Sequence, residues 1–308
     1  MRLLSESPEW RLAGVAEEDA HVAAGLRQQG IPVLPRQTLL EDPGIRVIVV
    51  ESGLSDRARH ARDVLRAGKH VHVEKPPAAG LRELEEVVEL ARSRGLRLQV
   101  GYMWRYHPGF ARVFQAVREG WLGQVYLIRA NISNQLAPRR RPEWAGYPGG
   151  VMFELGCHLV DGMVRLMGPP RRIASFLRHH GPYEDALADN TCAVLEWDRA
   201  LGVLTASTLQ VNSSRHRAFE VHGANGCAIL NPLEPPGLVF EFERPAGPWT
   251  AGRHAVELPP YRRYVDDFRE LAAAVRGEGA LRVTPDEEVT VHRAVLAASG
   301  KQERTRHV

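Results

Sequence analysis

Cysteine is scarce in this sequence of 308 residues, and the three that occur, Cys157, Cys192 and Cys227, are far apart. Three widely spaced cysteines form neither a disulfide framework nor a zinc cluster, so we expect no metal site and a reducing compartment. Long apolar runs are also missing. No run approaches the roughly 20 residues of a membrane helix, and the N-terminus has no charged segment followed by an apolar one. We therefore expect a cytoplasmic protein without membrane contact.

Charge of one sign is not in large excess. The sequence has 40 Lys and Arg residues against 37 Asp and Glu, a net charge of +3. The basic residues are scattered among acidic ones and accompany no nucleic-acid-binding motif, which argues against a nucleic-acid partner. A composition of 44% hydrophobic and 25% charged residues is typical of a globular protein. The length allows two domains, because single cores tend to split above roughly 250 residues.

Strands and helices alternate in the first hundred residues. Residues 46–50 (RVIVV) form a β-branched run that is typical of a buried parallel strand. Further strands are predicted at residues 10–16, 71–74 and 96–100, with helices between them. This alternation predicts an α/β fold with an N-terminal, Rossmann-type, doubly wound parallel sheet.

The pattern changes after Pro108. A helix at 108–119 and an apolar helical segment at 149–167 enclose one strand, and from about 172 to 243 strand follows strand with turn residues between them. This pattern predicts a C-terminal α/β domain with an open, mainly antiparallel sheet. We place the dinucleotide-binding domain at residues 1–121 and the second domain, for substrate and subunit contact, at residues 122–308.

The most informative stretch is residues 67–77, AGKHVHVEKPP. Gly68 ends a helix, the alternating valines indicate a short strand, and the two prolines stop that strand. Glu74 and Lys75 therefore stand at the carboxyl end of a strand, where open α/β sheets bind their ligands. The Lys75 charge can polarise a substrate oxygen. The alternative is a solvated lysine at a strand end.

A second stretch, GGVMFELGCHLVD at residues 149–161, combines an apolar helix with a polar stripe. Glu154, His158 and Asp161 are spaced i, i+4 and i+7, which places them on one face of an α-helix. A carboxylate one turn from an imidazole can fix its tautomer and raise its basicity, as a general acid or base requires. Alternatively, the stripe meets solvent or satisfies hydrogen bonds in the core.

Three further features are candidates for ligand contact. Glu17 follows a predicted strand and can accept hydrogen bonds from a ribose diol, or it is a surface charge in a turn. Trp104 and Arg105 belong to an aromatic loop at 101–108 that can wall a ligand pocket or form a seam between domains. The arginines at 139–141 lie among prolines, and such a charged run is typical of a solvated loop.

Taken together, these motifs resemble the Gfo/Idh/MocA family of nicotinamide-dependent oxidoreductases. The matching segments are AGKHVHVEKP at 67–76, WRYHP at 104–108, REGWLGQV at 118–125 and GGVMFELGCHLVD at 149–161. The resemblance implies a Rossmann domain, a second domain whose open sheet makes the subunit contact, and a catalytic Lys-Asp-His set. It makes Lys75 the lysine of the Glu-Lys-Pro motif and His158 the catalytic histidine. Glu154 stands where the family usually has aspartate.

The sequence departs from this family in two places. Family members begin with a strand and a G-x-G-x-x-G turn that binds the pyrophosphate, and neither precedes residue 10 here. We therefore expect a true start upstream of Met1, and impaired dinucleotide binding if the chain begins there. After the strand at 46–50, the sequence Glu51-Ser52-Gly53 replaces a Thr-Pro-Asn type of turn. That loop approaches the cofactor in the family, so the resemblance adds Ser52 to the cofactor site.

These observations predict an NAD-linked oxidoreductase acting on a sugar, a polyol or a related secondary alcohol. His158 takes the hydroxyl proton, Lys75 steadies the oxyanion and Glu154 orients the imidazole; Asp161 joins Lys75 and His158 in binding substrate. Glu17 favours NAD over NADP because it would repel a 2′-phosphate. The full set assigned to the cofactor is Glu17, Ser52, Glu74, Lys75, Trp104 and Arg105.

Two expectations concern assembly and the rival function. The sheet of the second domain is apolar on both faces, which predicts a homodimer or homotetramer packed through its uncovered face. The alternative function is a catalytically silent member, a ligand-binding or subunit-interaction protein that has lost its phosphate-binding loop.

Overall fold

The computed structural model describes residue 4 and residues 6–301. Contacts divide the chain into two compact units. The first contains the described residues up to Ala78, with Arg82–Gly101 and Tyr264–Pro285; the second contains Ala79–Leu81, Tyr102–Arg263 and the described residues from Asp286 onwards. The domain limits at 1–121 and 122–308 stay a prediction.

The helices and strands largely follow the predicted order. The helices are α1 (Ala20–Gln28), α2 (Arg36–Glu41), α3 (Leu54–Arg66), α4 (Leu81–Ser93), α5 (Pro108–Arg118), α6 (Arg141–Ala145), α7 (Cys157–Met167), α8 (Val265–Arg276) and α9 (Pro285–Ala298). The strands are β1 (Val47–Val50), β2 (His70–Val73), β3 (Leu98–Val100), β4 (Val125–Ser133), β5 (Arg172–Arg178), β6 (Asn190–Glu196), β7 (Leu201–Ser207), β8 (Ala218–Gly223), β9 (Gly226–Leu230), β10 (Leu238–Phe242) and β11 (Gly252–Val256). Within the described part of the chain, no helix has the length and apolar character needed to span a membrane.

The first unit is built on the parallel sheet β1-β2-β3. Both strand pairs are parallel, and α3 and α4 make the crossovers between them, which confirms the Rossmann-type class. The predicted strand at 10–16 differs, because only Val15 pairs there, in an isolated parallel bridge with Val33. A single bridge supplies too few ladder hydrogen bonds to define a strand.

Helix α8 packs against this parallel sheet although it lies far along the chain. The Phe268 ring stacks on His72 of β2 with centroids 4.7 Å apart. Gln99 of β3 donates from Nε2 to the Asp267 carbonyl oxygen at 3.1 Å, and Trp10 donates from Nε1 to that of Phe268 at 3.1 Å. The core of this unit therefore depends on contacts over more than 150 residues of sequence, which local patterns do not reveal.

The second unit contains an eight-stranded sheet in the order β11-β10-β9-β8-β4-β7-β6-β5. All neighbours pair antiparallel except β4 and β7, which confirms an open, mainly antiparallel sheet. The edge strand β11 lies beyond the predicted strand region. Its sequence, GRHAV, is polar and has no buried residue, so apolar patterning does not mark it.

Helices cover one face of this sheet. Ile128, Leu204 and Phe219 are completely buried on that side, and Phe219 meets Phe110 of α5 with ring centroids 4.9 Å apart. Elsewhere the sheet exposes large apolar side chains, among them Phe176 with 53% of its surface accessible. The covered face positions α7, which carries the predicted catalytic histidine.

Candidate active site

Lys75 directly follows the end of β2 in the first unit. The backbone N–H of Glu74 still donates to the carbonyl oxygen of Val50, at 2.9 Å, so the chain remains attached to the sheet there. Lys75 is only 8% exposed, and its Nζ lies 4.0 Å from Glu74 Oε1. The alternative of a solvated lysine is therefore wrong. A buried ammonium group at the carboxyl edge of a parallel sheet is unusual and is a candidate for ligand contact.

Arg57 of α3 connects the two loops at this edge. It is buried, and its Nη1 donates to the carbonyl oxygens of Pro76 at 2.6 Å and Lys75 at 3.1 Å. Its Nε donates to the carbonyl oxygen of Ser52 at 3.1 Å. Sequence analysis assigns Arg57 no role. The available signal was an arginine on the apolar face of an amphipathic helix, beside buried Ala58 and Ala61.

Ser52 and Glu17 also have local partners. The Ser52 hydroxyl lies 2.9 Å from Nδ1 of His60, and burial holds the pKa of His60 below its ordinary value. Glu17 Oε1 accepts a hydrogen bond from the N–H of Asp19 at 2.9 Å, and Asp19 in turn caps the N-terminus of α1. A hydroxyl and a carboxylate are suitable partners for ribose hydroxyls. Their contact with a cofactor stays a prediction.

The helix predicted at 149–167 changes its winding along its length. Residues Met152–Gly156 form a π-helix, and the α-helix begins only at Cys157. The spacing that places Glu154 and His158 on one face holds for an α-helix, whereas a π-turn bonds i to i+5 and rotates the side chains differently. Glu154 is half-buried, while His158 is only 6% exposed. Orientation of His158 by Glu154 therefore stays a prediction.

His158 lies among aromatic rings of the second unit. Its ring centroid is 5.0 Å from that of Trp104, and Tyr102 meets it edge-on at 5.9 Å. Both aromatic side chains are buried, and burial raises the pKa of Tyr102 well above its ordinary value, so its hydroxyl stays protonated. His158 is therefore a nearly buried imidazole packed between two rings, and imidazole is the side chain most often used for proton transfer. The predicted contact of Trp104 with the cofactor stays a prediction.

Arg105 forms a buried ion cluster with Asp161 and Glu288. Its Nη2 donates to Asp161 Oδ1 at 2.8 Å, and its Nη1 donates to Glu288 Oε1 at 2.5 Å. Burial opposes the guanidinium charge, but the two carboxylates outweigh that effect and hold the pKa of Arg105 well above its ordinary value. Sequence reasoning missed Glu288. Arg105 and Asp161 are hydrogen-bonded to each other. The assignments of Arg105 to the cofactor and Asp161 to the substrate stay predictions.

The arginines at 139–141 divide into two groups. Arg139 and Arg140 are exposed, as a solvated loop requires. Arg141 is 2% exposed and pairs with Asp185 and Asp189, so the prediction of a solvated loop is wrong for this residue. The error has a physical reason, because its carboxylate partners lie more than forty residues away in sequence.

As for metals, the described residues hold no group of three or more His, Cys, Asp or Glu side chains that could bind an ion.

Comparisons with known proteins agree with this architecture. Residues 1–102 match the model of an oxidoreductase family with an NAD-binding Rossmann fold, and residues 110–229 match the Gfo/Idh/MocA C-terminal domain. The scyllo-inositol 2-dehydrogenase (NADP(+)) of Bacillus subtilis is 23% identical over 87% of this chain and 80% of its own. The trans-1,2-dihydrobenzene-1,2-diol dehydrogenase of Sus scrofa is 27% identical over 80% of this chain and 76% of its own.

A solved structure gives the same fold. GenD2 from gentamicin A biosynthesis, in complex with NAD, superposes with a TM-score of 0.81 at 23% identity, covering 99% of this chain and 90% of GenD2. The two family models together span more than half of the sequence. The chain belongs to the Gfo/Idh/MocA family of oxidoreductases. It is an enzyme of the NAD(P)-dependent class, and nothing in the comparisons favours the catalytically silent alternative.

Proposed function

We propose that this protein transfers a hydride between a nicotinamide cofactor and the carbon of a secondary alcohol in a sugar, a polyol or a related compound. His158 exchanges the proton of the hydroxyl group, and Lys75 stabilises the negative charge that develops on that oxygen. Glu154 orients the imidazole, and Asp161 adds a contact to substrate. The nicotinamide, when bound, supplies or accepts the hydride.

One observation carries this proposal. His158 is a nearly buried imidazole, enclosed by Tyr102 and Trp104, in the segment whose sequence matches the family's catalytic helix. An imidazole can accept the hydroxyl proton as a secondary alcohol is oxidised to a carbonyl, and can return it in the reverse reaction. The names of the Bacillus subtilis and Sus scrofa relatives, an inositol dehydrogenase and a dihydrodiol dehydrogenase, support a cyclic diol or polyol.

The cofactor proposal is NAD in preference to NADP. Polar groups of the first unit suit a dinucleotide, namely the Glu17 carboxylate, the Ser52 hydroxyl and the Lys75 ammonium group. A carboxylate beside the ribose accepts bonds from its hydroxyls and repels a 2′-phosphate. Glu74, Trp104 and Arg105 complete the proposed cofactor contacts.

Partners and location complete the proposal. We place the enzyme in the cytoplasm, as three scattered cysteines that form no disulfide favour. We further propose that two or four copies associate through the uncovered face of the eight-stranded sheet.

The experiment that tests the catalytic roles is a hydride-transfer assay on purified protein, with scyllo-inositol and related cyclic diols as substrates and NADH absorbance as the signal. Lys75→Ala and His158→Ala should each lower turnover by about a hundredfold, the usual size of electrostatic and acid-base contributions. Lys69→Ala is a matched control, since Lys69 is also a buried lysine but bonds to the carbonyl oxygens of Asp42 and Ile45. Near-normal turnover in both site variants would overturn the assignment.

A further inference from the structure

Residues 179–189 of the second unit form a segment that we call the strap. It connects β5 to β6 and is held by the buried guanidinium of Arg141, which bonds to Asp185 through Nε at 2.5 Å and to Asp189 through Nη2 at 2.9 Å. The ring of Tyr183 covers the same guanidinium, with its centroid 3.9 Å from Cζ. Asp189 is completely buried, so its charge depends on this pairing.

His179 contacts two backbone carbonyl groups within the strap. Its Nδ1 lies 2.9 Å from the carbonyl oxygen of Leu187, and its Nε2 lies 2.8 Å from that of Tyr183. Carbonyl oxygens only accept hydrogen bonds, and a neutral imidazole carries a single N–H. Both bonds can therefore form only when both ring nitrogens are protonated. In the neutral ring, one nitrogen lone pair would face a carbonyl oxygen at under 3 Å.

The charges around His179 have opposite effects on its protonation. Its Nδ1 lies 3.6 Å from Asp185 Oδ1 and 3.5 Å from Asp189 Oδ2, and both carboxylates favour the imidazolium ion. The positive charge of Arg141 disfavours the imidazolium ion, but the same two carboxylates neutralise that charge. Of these influences, the Leu187 carbonyl contributes most in raising the pKa of His179 above its ordinary value, and burial opposes the rise.

The strap also holds the start of the helix that carries Glu154 and His158. The carbonyl oxygen of Ala188 accepts a hydrogen bond from the N–H of Val151 at 3.1 Å, immediately before the π-turn. The contact is close, because a Cβ on Gly150 would lie 2.6 Å from that oxygen. Leu187, whose carbonyl oxygen bonds to His179, is the residue before Ala188. A movement of the strap at Leu187 is therefore transmitted through the next residue, Ala188, to the start of the helix that carries Glu154 and His158.

We propose that the strap positions the helix bearing Glu154 and His158, and that His179 is the positioning residue that fastens it when doubly protonated. The role of the helix in catalysis rests on the proposed function, whereas the fastening itself does not. Loss of one ring proton removes one of the two carbonyl bonds and loosens the support of Val151. Turnover should then fall as the pH rises through the titration of His179.

The first test needs no substrate. Hydrogen exchange at the Val151 amide should be about tenfold faster in His179→Gln than in wild type at pH 7, because both N–H donors of a glutamine share one nitrogen and cannot reach two carbonyls that separate ring nitrogens of His179 hold. His180→Gln is the matched control, since His180 is an exposed neighbour whose Nδ1 contacts the side chain of Asn190. In wild type, nitrogen-15 NMR should detect protons on both ring nitrogens of His179 near pH 6. Unchanged exchange in His179→Gln, or a ring with one proton at that pH, would overturn the proposal.

The second test separates the strap from the catalytic assignment. His179→Gln should lower kcat severalfold with the KM for NAD unchanged, and His179→Arg, which keeps a charge and several N–H donors, should restore kcat and remove the alkaline fall. Identical profiles of kcat against pH in wild type and His179→Gln would overturn the proposal that the strap positions the helix. If Lys75→Ala and His158→Ala instead leave turnover unaffected, the proposed function fails while the exchange result stands.

Discussion

Arg105 and Asp161 face each other in the interior of the second unit, with Nη2 and Oδ1 2.8 Å apart and both side chains at most 5% exposed. The same guanidinium also holds Glu288, so one cation neutralises two buried carboxylates. Breaking a buried pair from one side leaves an uncompensated charge, which costs about 3 to 5 kcal/mol. We expect Arg105→Met to lower the free energy of unfolding by about that amount, as measured by urea denaturation.

A control distinguishes this buried cluster from ordinary ion pairs. Arg129 pairs with Glu220 at 2.6 Å, but its side chain is 58% exposed. Exposed pairs contribute at most about 1 kcal/mol, so Arg129→Met should have a small effect. Equal urea midpoints for the two variants would show that the Arg105 cluster does not stabilise the fold and would leave its predicted ligand role as the better explanation of its burial.

The pH dependence of the first unit should contain two opposing contributions. Burial raises the pKa of Asp267 from 3.8 to about 6, so its contribution to stability is full below pH 3.8 and is lost as pH rises towards 6. Burial lowers the pKa of His72 from 6.5 to about 4, so its contribution is full above pH 6.5 and is lost as pH falls towards 4. Between pH 4 and 6 the two changes partly cancel.

Asp267→Asn removes one of these contributions. The stability of this variant should rise with pH between 4 and 6 more steeply than that of wild type, by up to about 3 kcal/mol over the interval. The measurement is the urea midpoint at several pH values. Asp266→Asn, an exposed neighbour that pairs with Arg269, should keep the wild-type slope. Parallel curves for wild type and Asp267→Asn would mean that Asp267 does not titrate in this range.

Cofactor preference should depend on Glu17. We expect Glu17→Ala to shift the ratio of kcat/KM for NADP over NAD by about tenfold towards NADP, because it removes a charge that repels the 2′-phosphate. Initial rates with both cofactors give this ratio. Glu18→Ala is the control, since Glu18 is an exposed carboxylate one residue further along the chain. An unchanged ratio in Glu17→Ala would remove Glu17 from the cofactor site.

Assembly should respond to a charge on the uncovered sheet face. Phe176 is 53% exposed on β5, and a carboxylate there would have to be desolvated in an interface. We expect wild type to give a dimeric or tetrameric mass by light scattering at micromolar concentration, and Phe176→Asp to shift it towards monomer. Val211→Asp, at an apolar residue 62% exposed outside the strands, should keep the wild-type mass. A monomeric wild type would contradict the proposal.

Sequence signals correctly predicted that Lys75 lies at the carboxyl end of a strand, because each of these signals depends only on adjacent residues. Gly68 takes a positive φ of 75° at the end of α3, as its lack of a side chain allows. The alternation in residues 70–73 produced β2, and the prolines ended it. The helix at 149–167 was also found, but its π-turn was not. Met152 Sδ lies 2.6 Å from where a Cβ on Gly156 would stand, a fit between side chain and backbone that apolar periodicity does not record.

The sequence by itself determined the two kinds of sheet, the position of Lys75 at a strand end and the family to which the chain belongs, because these follow from short-range pattern and motif. Only the tertiary structure decided which charges are buried and what neutralises them. Arg57, Arg105 and Arg141 look alike in sequence as ordinary arginines of helices and loops. Their partners lie 5 to 183 residues away along the chain, and folding brings them together because a buried charge is tolerated only beside an acceptor.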